Sequence, residues 1–383
     1  MIPVAKPLLG EREADAARRA ILSGWVTQGP EVAAFEREFA SAVGAPYACA
    51  VSSCTTALHL ALVAAGVQPG DEVITVSHSF IATANAVVYC GALPVFVDVR
   101  PESLNIDPDL VEAAVSPRTK ALLVVHQLGL PCDLARLVPL ARRLRLPLIE
   151  DAACAIGSEI RWDGAWQRIG RPHGDIACFS FHPRKLLSTG DGGMIATADA
   201  GVDAHLRLLR QHGMSVPDTV RHASAQVVFE DYPILGFNYR LTDIQAAFGR
   251  EQLARLDGLI ARRRELASRY AAALADVPGL VLPREPEWAR TNWQTYAVRL
   301  ERADQRQVMQ RMLDDGVATR RGVMNAHREQ SYPAGTWRAA GPLARGERAQ
   351  DTVVALPLYH DMTFEDQDRV VASLARAVVA AGR

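Results

Sequence analysis

The chain has 383 residues, of which 49% are hydrophobic and 22% are charged. Its 42 lysines and arginines nearly balance its 43 aspartates and glutamates. This composition is typical of a globular protein and argues against a nucleic-acid-binding protein, which would carry a strong positive field. Because the chain is too long for one small core, we expect one large and one smaller domain.

The cysteines and the apolar windows indicate where the protein works. Its six cysteines show neither a CxxC pair nor the spacing of a metal site, so we expect reduced thiols in a cytoplasmic protein. Residues 1–13 contain no apolar core of the length that a signal peptide needs. The most apolar window, residues 81–99, is interrupted by Asn85, Gly91 and Pro94, which argues against a membrane span.

The start of the chain predicts two helices with a loop between them. Helical spacing covers Glu11–Leu22 and resumes over Glu31–Phe39. The intervening segment SGWVTQGP contains two glycines and a proline, which favour a loop.

From residue 47 onward, short apolar runs alternate with helical patterns. The predicted strands are 48–51, 73–76, 95–97, 121–125 and 147–150, and the predicted helices are 55–65, 81–89 and 134–144. A loop or hairpin is expected over 158–172, where proline and arginine interrupt the pattern. Such alternation indicates a mostly parallel sheet covered by helices on both faces. Ligand groups then gather at the carboxyl ends of the strands.

The segment 175–198, DIACFSFHPRKLLSTGDGGMIATA, predicts two buried strands joined by a loop. Lys185 lies in this loop between a hydroxyl residue, Ser180, and a glycine turn, which makes it a candidate covalent amine. We expect burial and neighbouring cationic charge to lower its pKa. An ordinary solvent-facing lysine in a tight connection is the alternative.

After the lysine loop, the chain is first mainly helical and then alternates short strands with helices. A helix is predicted at 204–211. After a cap at Thr242, a second helix is predicted through Leu253, and a third, longer helix follows to about Leu274. Strands are then expected at 296–300, 319–323 and 353–356, interleaved with helices at 306–313 and 365–379. We therefore expect a large domain at 1–254 and a smaller α+β domain at 255–383.

Three further positions place ligand groups at predicted strand ends. Cys54 and Thr55 lie where a helix starts and its backbone N–H groups can hold a phosphate, although Thr55 alone would be interpreted as an N-cap. Phe80 either stacks on a flat ring or packs beneath the next helix, and by itself packing is favoured. Asp151 ends a very apolar strand, where its carboxylate either caps the next helix or pairs with a protonated pyridine nitrogen. Together with Lys185, these positions indicate a pyridoxal phosphate enzyme.

Eight segments of the chain, in their order along the sequence, resemble segments of the DegT/DnrJ/EryC1/StrS family of sugar aminotransferases. The matching segments are WVTQGP, SSCTTALHLAL, SFIATANAV, LIEDAAC, FSFHPRKLLSTGDGGMI, LRQHG, LGFNYRLTDIQAAFGREQL and LPLYHDMTFED. They span almost the whole chain, which makes the resemblance far more specific than any single motif. It implies an α/β fold of the aspartate-aminotransferase-like fold type I, with pyridoxal 5′-phosphate as cofactor. It also implies homodimers that share their active sites.

The resemblance also assigns residues. Lys185 matches the Schiff-base lysine, Asp151 the partner of the pyridine nitrogen, and Phe80 the aromatic that stacks on the ring. The positions that match phosphate contacts are Cys54, Thr55, Ser180 and Asn238. Of these, Asn238 matches a residue that reaches the cofactor of the other subunit; without the resemblance it reads as a turn residue.

Three positions depart from the family pattern. Cys54 stands where many relatives have glycine, and Asp191 replaces a common glutamate. Cys154 stands where many relatives have glutamine or histidine reaching the phenolic oxygen of the cofactor, so that hydrogen bond is weakened or supplied differently. Lys185 itself argues against the dehydratases of the family, which carry histidine there.

Candidate substrate contacts lie in the N-terminal loop, the GFNYR motif and a basic segment near residue 320. Thr27, Arg240 and His327 are the assigned substrate-binding residues. Further candidates around the sugar nucleotide are Trp25, Arg320, Arg321 and Tyr332. Arginine suits a diphosphate or an amino-acid carboxylate, but a solvated basic face explains Arg320 and Arg321 equally well.

By this resemblance, the expected function is transfer of an amino group from an amino acid, usually glutamate, to a keto-sugar nucleotide. Two alternatives keep the cofactor: amination of a keto-cyclitol, or other chemistry on an amino acid. A more distant alternative is a regulatory relative without turnover. The sequence does not distinguish a dimer from a tetramer.

Overall fold

The computed structural model describes residues 1–382, so Arg383, the last residue of the expected smaller domain, lies outside the described residues. The helices are α1 (Glu11–Leu22), α2 (Pro30–Val43), α3 (Cys54–Ala64), α4 (Ala82–Tyr89), α5 (Pro108–Ala114), α6 (Leu134–Leu144), α7 (Ala200–Leu209), α8 (Asp218–Ala223), α9 (Asp243–Leu253), α10 (Leu256–Leu274), α11 (Gln305–Asp314), α12 (Ala344–Thr352) and α13 (Phe364–Ala381).

The strands lie in three sheets. They are β1 (Tyr47–Val51), β2 (Glu72–Val76), β3 (Leu93–Val97), β4 (Thr119–Val125), β5 (Leu148–Asp151), β6 (Glu159–Trp162), β7 (Ala165–Arg168), β8 (Ile176–Ser180), β9 (Gly193–Thr197), β10 (Leu280–Val281), β11 (Ala289–Arg290), β12 (Tyr296–Leu300), β13 (Arg320–Arg321), β14 (Arg338–Ala339) and β15 (Val353–Leu356).

The largest sheet has the strand order β1-β9-β8-β5-β4-β2-β3-β14. Only β9 runs antiparallel to its neighbours, β1 and β8, within this sheet of the described chain. Because successive strand residues face opposite sides, Leu122 and Val124 pack into a core with α2 and α6, whereas Ala121 and Leu123 pack into a core with α3 and α7. The expected mostly parallel sheet with helices on both faces is confirmed.

Local signals explain most of the element boundaries. Helix α1 has the bounds that its spacing predicted, and Glu13 accepts from the backbone N–H of Gly10 at 2.9 Å as a cap. Thr242 caps the start of α9, as predicted, and Gln245 completes a capping box with it. The expected hairpin over 158–172 is β6 and β7, which pair antiparallel.

The later part of the chain forms a separate antiparallel sheet, in the order β10-β12-β15-β13, with α11 and α13 packed against it. The short strand β14, which the sequence pattern did not predict, instead joins the large sheet beside β3. The boundary at residue 254 stays a prediction. Among residues 1–382, no helix has the length and apolar character that crossing a membrane requires.

Candidate active site

The candidate site lies at the carboxyl edge of the large sheet. Asp151 is the last residue of β5 and pairs in register with Cys178 of the parallel strand β8. Ser180 ends β8, and the loop after it carries Lys185. The two strands therefore bring the carboxylate and the lysine loop to the same edge, as expected for parallel strands.

Asp151 is a buried carboxylate held by two donors. Thr83, in the first turn of α4, donates from its hydroxyl to Oδ2 at 2.7 Å, and the backbone N–H of Ala153 donates to Oδ1 at 3.1 Å. Burial raises the pKa of Asp151 above its ordinary value, although Thr83, Ala153 and the nearby Lys185 act in the opposite direction. Such a carboxylate is stabilised by any further cation or donor that reaches it.

Lys185 is half-buried, and its Nζ lies 3.0 Å from Sγ of Cys154. Burial of the amine lowers its pKa, but Cys154, Cys54 and Asp151 outweigh burial, so the pKa lies above its ordinary value. The expectation of a lowered pKa is therefore wrong for the cofactor-free chain. The sequence reasoning foresaw the burial correctly but assumed cationic neighbours, whereas the structure places thiols and a carboxylate there.

The start of α3 is packed tightly against β9. A Cβ built on Gly193, the first residue of β9, would lie 2.5 Å from the carbonyl oxygen of Ser53 and 2.8 Å from the backbone nitrogen of Cys54. The N-cap is Ser53, which accepts from the N–H of Thr56 at 3.1 Å, so reading Thr55 as the N-cap is wrong. Cys54 and Thr55 instead form the first turn, where backbone N–H groups have no partner inside the helix.

Phe80 follows β2, and 63% of it is exposed in the chain by itself. Its carbonyl accepts from the N–H of Thr83 at 3.1 Å, which closes the turn into α4. Packing beneath the next helix, favoured from the sequence alone, is therefore wrong. The ring is available to cover a ligand at the same edge.

Two assigned cofactor contacts remain, Ser180 and Asn238. Ser180 Oγ accepts from the N–H of His182 at 3.4 Å. Asn238 forms an antiparallel bridge with Gln211, and its Oδ1 accepts from Nε of Arg240 at 3.2 Å. The backbone of Arg240 bridges to Val51 at the end of β1, so Arg240 lies beside the segment that leads into α3.

The assigned substrate residues occupy three different surroundings. Thr27 is exposed in the loop between α1 and α2, where its carbonyl accepts from the N–H of Asp243 at 3.0 Å. Nδ1 of His327 lies 2.6 Å from Oγ of Ser77 and Nε2 lies 3.0 Å from Glu347, so both ring nitrogens are engaged. Within the described chain, Thr27 and His327 form no hydrogen bond with Lys185 or Asp151.

Sequence reasoning missed several residues that shape the site. Thr83 was detectable as a hydroxyl residue in the first turn of a helix that follows a strand end, where ligand groups gather. Asn292 and Gln294 were not detectable from local pattern. Nδ2 of Asn292 donates to the carbonyl of Cys154 at 2.9 Å, and Nε2 of Gln294 donates to the carbonyl of Arg184 at 2.6 Å.

Comparison with known proteins gives consistent findings. The model of the DegT/DnrJ/EryC1/StrS aminotransferase family matches residues 7–375. The spore coat polysaccharide biosynthesis protein SpsC of Bacillus subtilis (strain 168) is 36% identical over 378 residues, covering 97% of this chain and 96% of the relative.

Two solved structures share the fold over nearly the whole chain. The aminotransferase TlmJ from Streptoalloteichus hindustanus superposes with a TM-score of 0.90 at 35% identity, covering 99% of each chain. The sugar aminotransferase CalS13 from Micromonospora echinospora superposes with a TM-score of 0.88 at 30% identity, covering 98% of this chain and 100% of the other. The expected fold class is thereby confirmed.

Proposed function

The chain belongs to the DegT/DnrJ/EryC1/StrS aminotransferase family, and from this we propose that it moves an amino group from an amino acid, glutamate by preference, to a keto-sugar nucleotide. The observation that carries the proposal is the placement of Lys185 and Asp151 at one sheet edge, each influencing the pKa of the other. Similarity to a polysaccharide biosynthesis protein and to a sugar aminotransferase supports a sugar acceptor.

The enzymes of this family use pyridoxal 5′-phosphate, and the residues at the sheet edge fit it. The buried carboxylate of Asp151 suits a protonated ring nitrogen, the exposed side chain of Phe80 suits a flat ring, and the first turn of α3 offers the backbone N–H groups of Cys54 and Thr55 to a phosphate. When bound, the cofactor supplies an electron sink that stabilises negative charge on the carbon next to the transferred nitrogen.

We assign the following roles to the chain itself. Lys185 holds the cofactor between turnovers and then moves a proton at the substrate carbon as general base and acid. Asp151 keeps the proton on the ring nitrogen, and Thr83 and Ala153 fix the orientation of its carboxylate. Backbone N–H groups at Cys54 and Thr55 hold the phosphate with the dipole of α3 behind them.

We further propose that two copies of the chain assemble with shared sites. The segment 220–235 exposes large apolar side chains in the isolated chain; they are Val220, Val227, Phe229, Tyr232 and Leu235. Phe229 is 87% exposed and Leu235 is 89% exposed, which is unusual for a monomer surface and typical of a surface that another protein covers. The segment leads directly into Asn238, which by this proposal meets the phosphate of the second copy's cofactor.

The six cysteines are free thiols, which supports a reducing compartment. We therefore propose that the enzyme works in the cytoplasm. The substrate contacts Thr27, Arg240 and His327 also remain proposals.

The test uses the full-length protein loaded with pyridoxal 5′-phosphate. Glutamate is added and 2-oxoglutarate is measured, and then keto-sugar nucleotides and keto-cyclitols are screened by mass spectrometry for a product that has gained the amino group. We expect 2-oxoglutarate release and amination of a keto-sugar nucleotide. If only a cyclitol is aminated, the acceptor that we propose is wrong. If none of the amino acids tested releases a keto acid, transamination is wrong.

A matched pair of lysine variants localises the chemistry. Lys185→Ala should lower activity by at least about 10²–10⁴-fold, because the proton carrier is lost. Lys120→Ala, at an exposed lysine of β4, should keep wild-type activity. Retained activity in Lys185→Ala would show that the assigned lysine is wrong.

A further inference from the structure

We propose that Gln294 is a positioning residue that holds the loop carrying Lys185 against Asp151. The inference rests on the role proposed above for Lys185. The two ends of the Lys185 loop, residues 181–192, are bonded to each other: Phe181 N donates to the carbonyl of Gly192 at 2.9 Å, and Thr189 N donates to that of Phe181 at 2.9 Å. In its middle, Lys185 N donates to the carbonyl of His182 at 2.8 Å and Arg184 N donates to Nδ1 of His182 at 3.2 Å, and a further contact comes from elsewhere in the chain.

Gln294 supplies such a contact at the residue next to the lysine. Its side-chain amide donates to the carbonyl of Arg184 at 2.6 Å, across 110 positions of sequence. Arg184 itself is exposed, whereas Gln294 is buried, so the rigid partner of this bond is Gln294. A bond to the carbonyl of residue 184 restrains the peptide that leads directly into Lys185.

Gln294 is itself fixed from two sides. Its backbone N–H donates to Oδ1 of Asn292 at 2.8 Å, and its carbonyl accepts from the buried guanidinium of Arg263 at 3.1 Å. Arg263 also donates to the carbonyl of Trp293 at 3.2 Å. The segment is therefore anchored on helix α10, and its geometry does not depend on the lysine loop.

The same segment fixes the opposite wall of the site. Nδ2 of Asn292, which is fully buried, donates to the carbonyl of Cys154 at 2.9 Å and to that of Ile156 at 2.8 Å. Cys154 in turn contacts the amine of Lys185. Residues 291–294 thus connect the turn after Asp151 to the lysine loop, and they set the distance between them.

Release of the lysine loop should change the surroundings of the Lys185 amine. The groups that face this amine and shift its pKa upward are Cys154, Cys54 and Asp151, while burial acts in the opposite direction. If the loop is released, Lys185 moves away from these groups and becomes more accessible to water. Its reactivity then changes even when the fold is intact.

The experiment compares Gln294→Leu and Gln294→Glu with a matched control, Gln367→Leu. Gln367 is a buried glutamine of α13 whose amide likewise donates to a backbone carbonyl, that of Leu266, at 2.8 Å. Both Gln294 variants lose the donor, and the glutamate variant preserves side-chain size in case the leucine variant folds poorly.

Two measurements are made on full-length protein. The first is the rate at which added pyridoxal 5′-phosphate becomes attached to Lys185, trapped with borohydride and read by peptide mass spectrometry. The second is the pH dependence of Lys185 acetylation by acetic anhydride in cofactor-free protein. The chain has only two other lysines, Lys6 and Lys120, which serve as internal standards.

We expect both Gln294 variants to slow attachment by about 10-fold to 10²-fold, the usual effect of misplacing a reacting group. Their acetylation midpoint for Lys185 should move to lower pH, while Gln367→Leu matches the wild type in both readouts. Wild-type attachment rates and acetylation midpoints in both Gln294 variants would overturn the inference. Absence of attachment at Lys185 in the wild type would instead overturn the proposed function, and the acetylation midpoints would still decide whether Gln294 positions the amine.

Discussion

The hydroxyl of Thr83 donates a 2.7 Å hydrogen bond to Oδ2 of Asp151, linking the first turn of α4 to the end of β5. This bond lowers the pKa of a carboxyl group that burial otherwise raises. It therefore favours the ionised form that a protonated ring nitrogen requires. With the role proposed for Asp151, Thr83 would therefore influence how strongly the cofactor is held.

We predict that Thr83→Val weakens cofactor binding by about 10-fold to 100-fold, the equivalent of a charge-assisted hydrogen bond of about 1.5–3 kcal/mol. Because the pKa of Asp151 rises further, the acidic limb of the pH–activity profile should shift to higher pH. Equilibrium dialysis and pH–rate profiles check both effects. Thr75→Val is the control, since its buried hydroxyl has no partner in the described chain; an unchanged affinity in Thr83→Val would refute the prediction.

A second prediction concerns the stability of the cofactor-free protein. Burial raises the folded-state pKa of Asp151, so ionisation at neutral pH destabilises the folded state. Asp151→Asn should therefore raise the melting temperature of the cofactor-free protein at pH 7 and abolish most of the activity. The gain should vanish below the ordinary pKa of aspartate, about 3.9, because the carboxyl group is then neutral in both states. Melting curves at several pH values measure the rise in melting temperature. A rise that does not depend on pH would show that it does not come from ionisation of Asp151.

Elements with strong local signals were predicted well. Helix α1 was placed correctly by its helical spacing and the start of α9 by its capping threonine, both of which a sequence displays directly. Asp151 and Lys185 were also placed at one sheet edge, because the alternation of strands and helices fixes the direction of parallel strands.

Features that depend on long-range packing were not predictable in the same way. The strand β14 has two residues and exists because it pairs with β3, more than 240 positions earlier. The pKa of Lys185 depends on Cys154, 31 positions away, and was therefore misjudged. For Phe80, the residue pattern alone favoured packing beneath the next helix, whereas the family resemblance assigned ring stacking, because hydrophobicity alone does not separate a core residue from one that faces a ligand.

The close approach of β9 to α3 yields a third prediction. In Gly193→Ala, the added methyl group would lie 2.5 Å from the Ser53 carbonyl, so the start of α3 must shift. We expect a loss of about 1–3 kcal/mol in unfolding free energy and weaker binding of the cofactor phosphate. Denaturant unfolding and cofactor titration measure these effects. Gly258→Ala, where a Cβ meets nothing within 4 Å, should leave both unchanged or slightly improve stability; equal behaviour of the two variants would count against the packing argument.

The last prediction concerns the contact between β14 and the large sheet. Glu72 begins β2, and its side chain is 1% exposed. It accepts from Arg338 at 2.6 Å, from Ser116 at 2.7 Å and from Arg118 at 2.6 Å. The bond from Arg338 is the largest cause of a pKa lowered to about 2, while burial opposes it. The carboxylate therefore stabilises the fold above its ordinary pKa, and this stability is lost as the pH falls towards 2.

Arg338→Met should cost about 1.5–3 kcal/mol at pH 7, the value of a hydrogen bond to a charged group. The difference from wild type should shrink as the pH falls from about 4.5 towards 2, because both proteins then lose the carboxylate charge. Urea unfolding of both proteins across this pH range measures the difference in unfolding free energy. The control is Arg143→Met, whose ion pair with Glu112 is exposed on both sides (60% and 58%) and should change the stability little. Equal losses in the two variants would show that the Glu72 contact adds nothing beyond a surface ion pair.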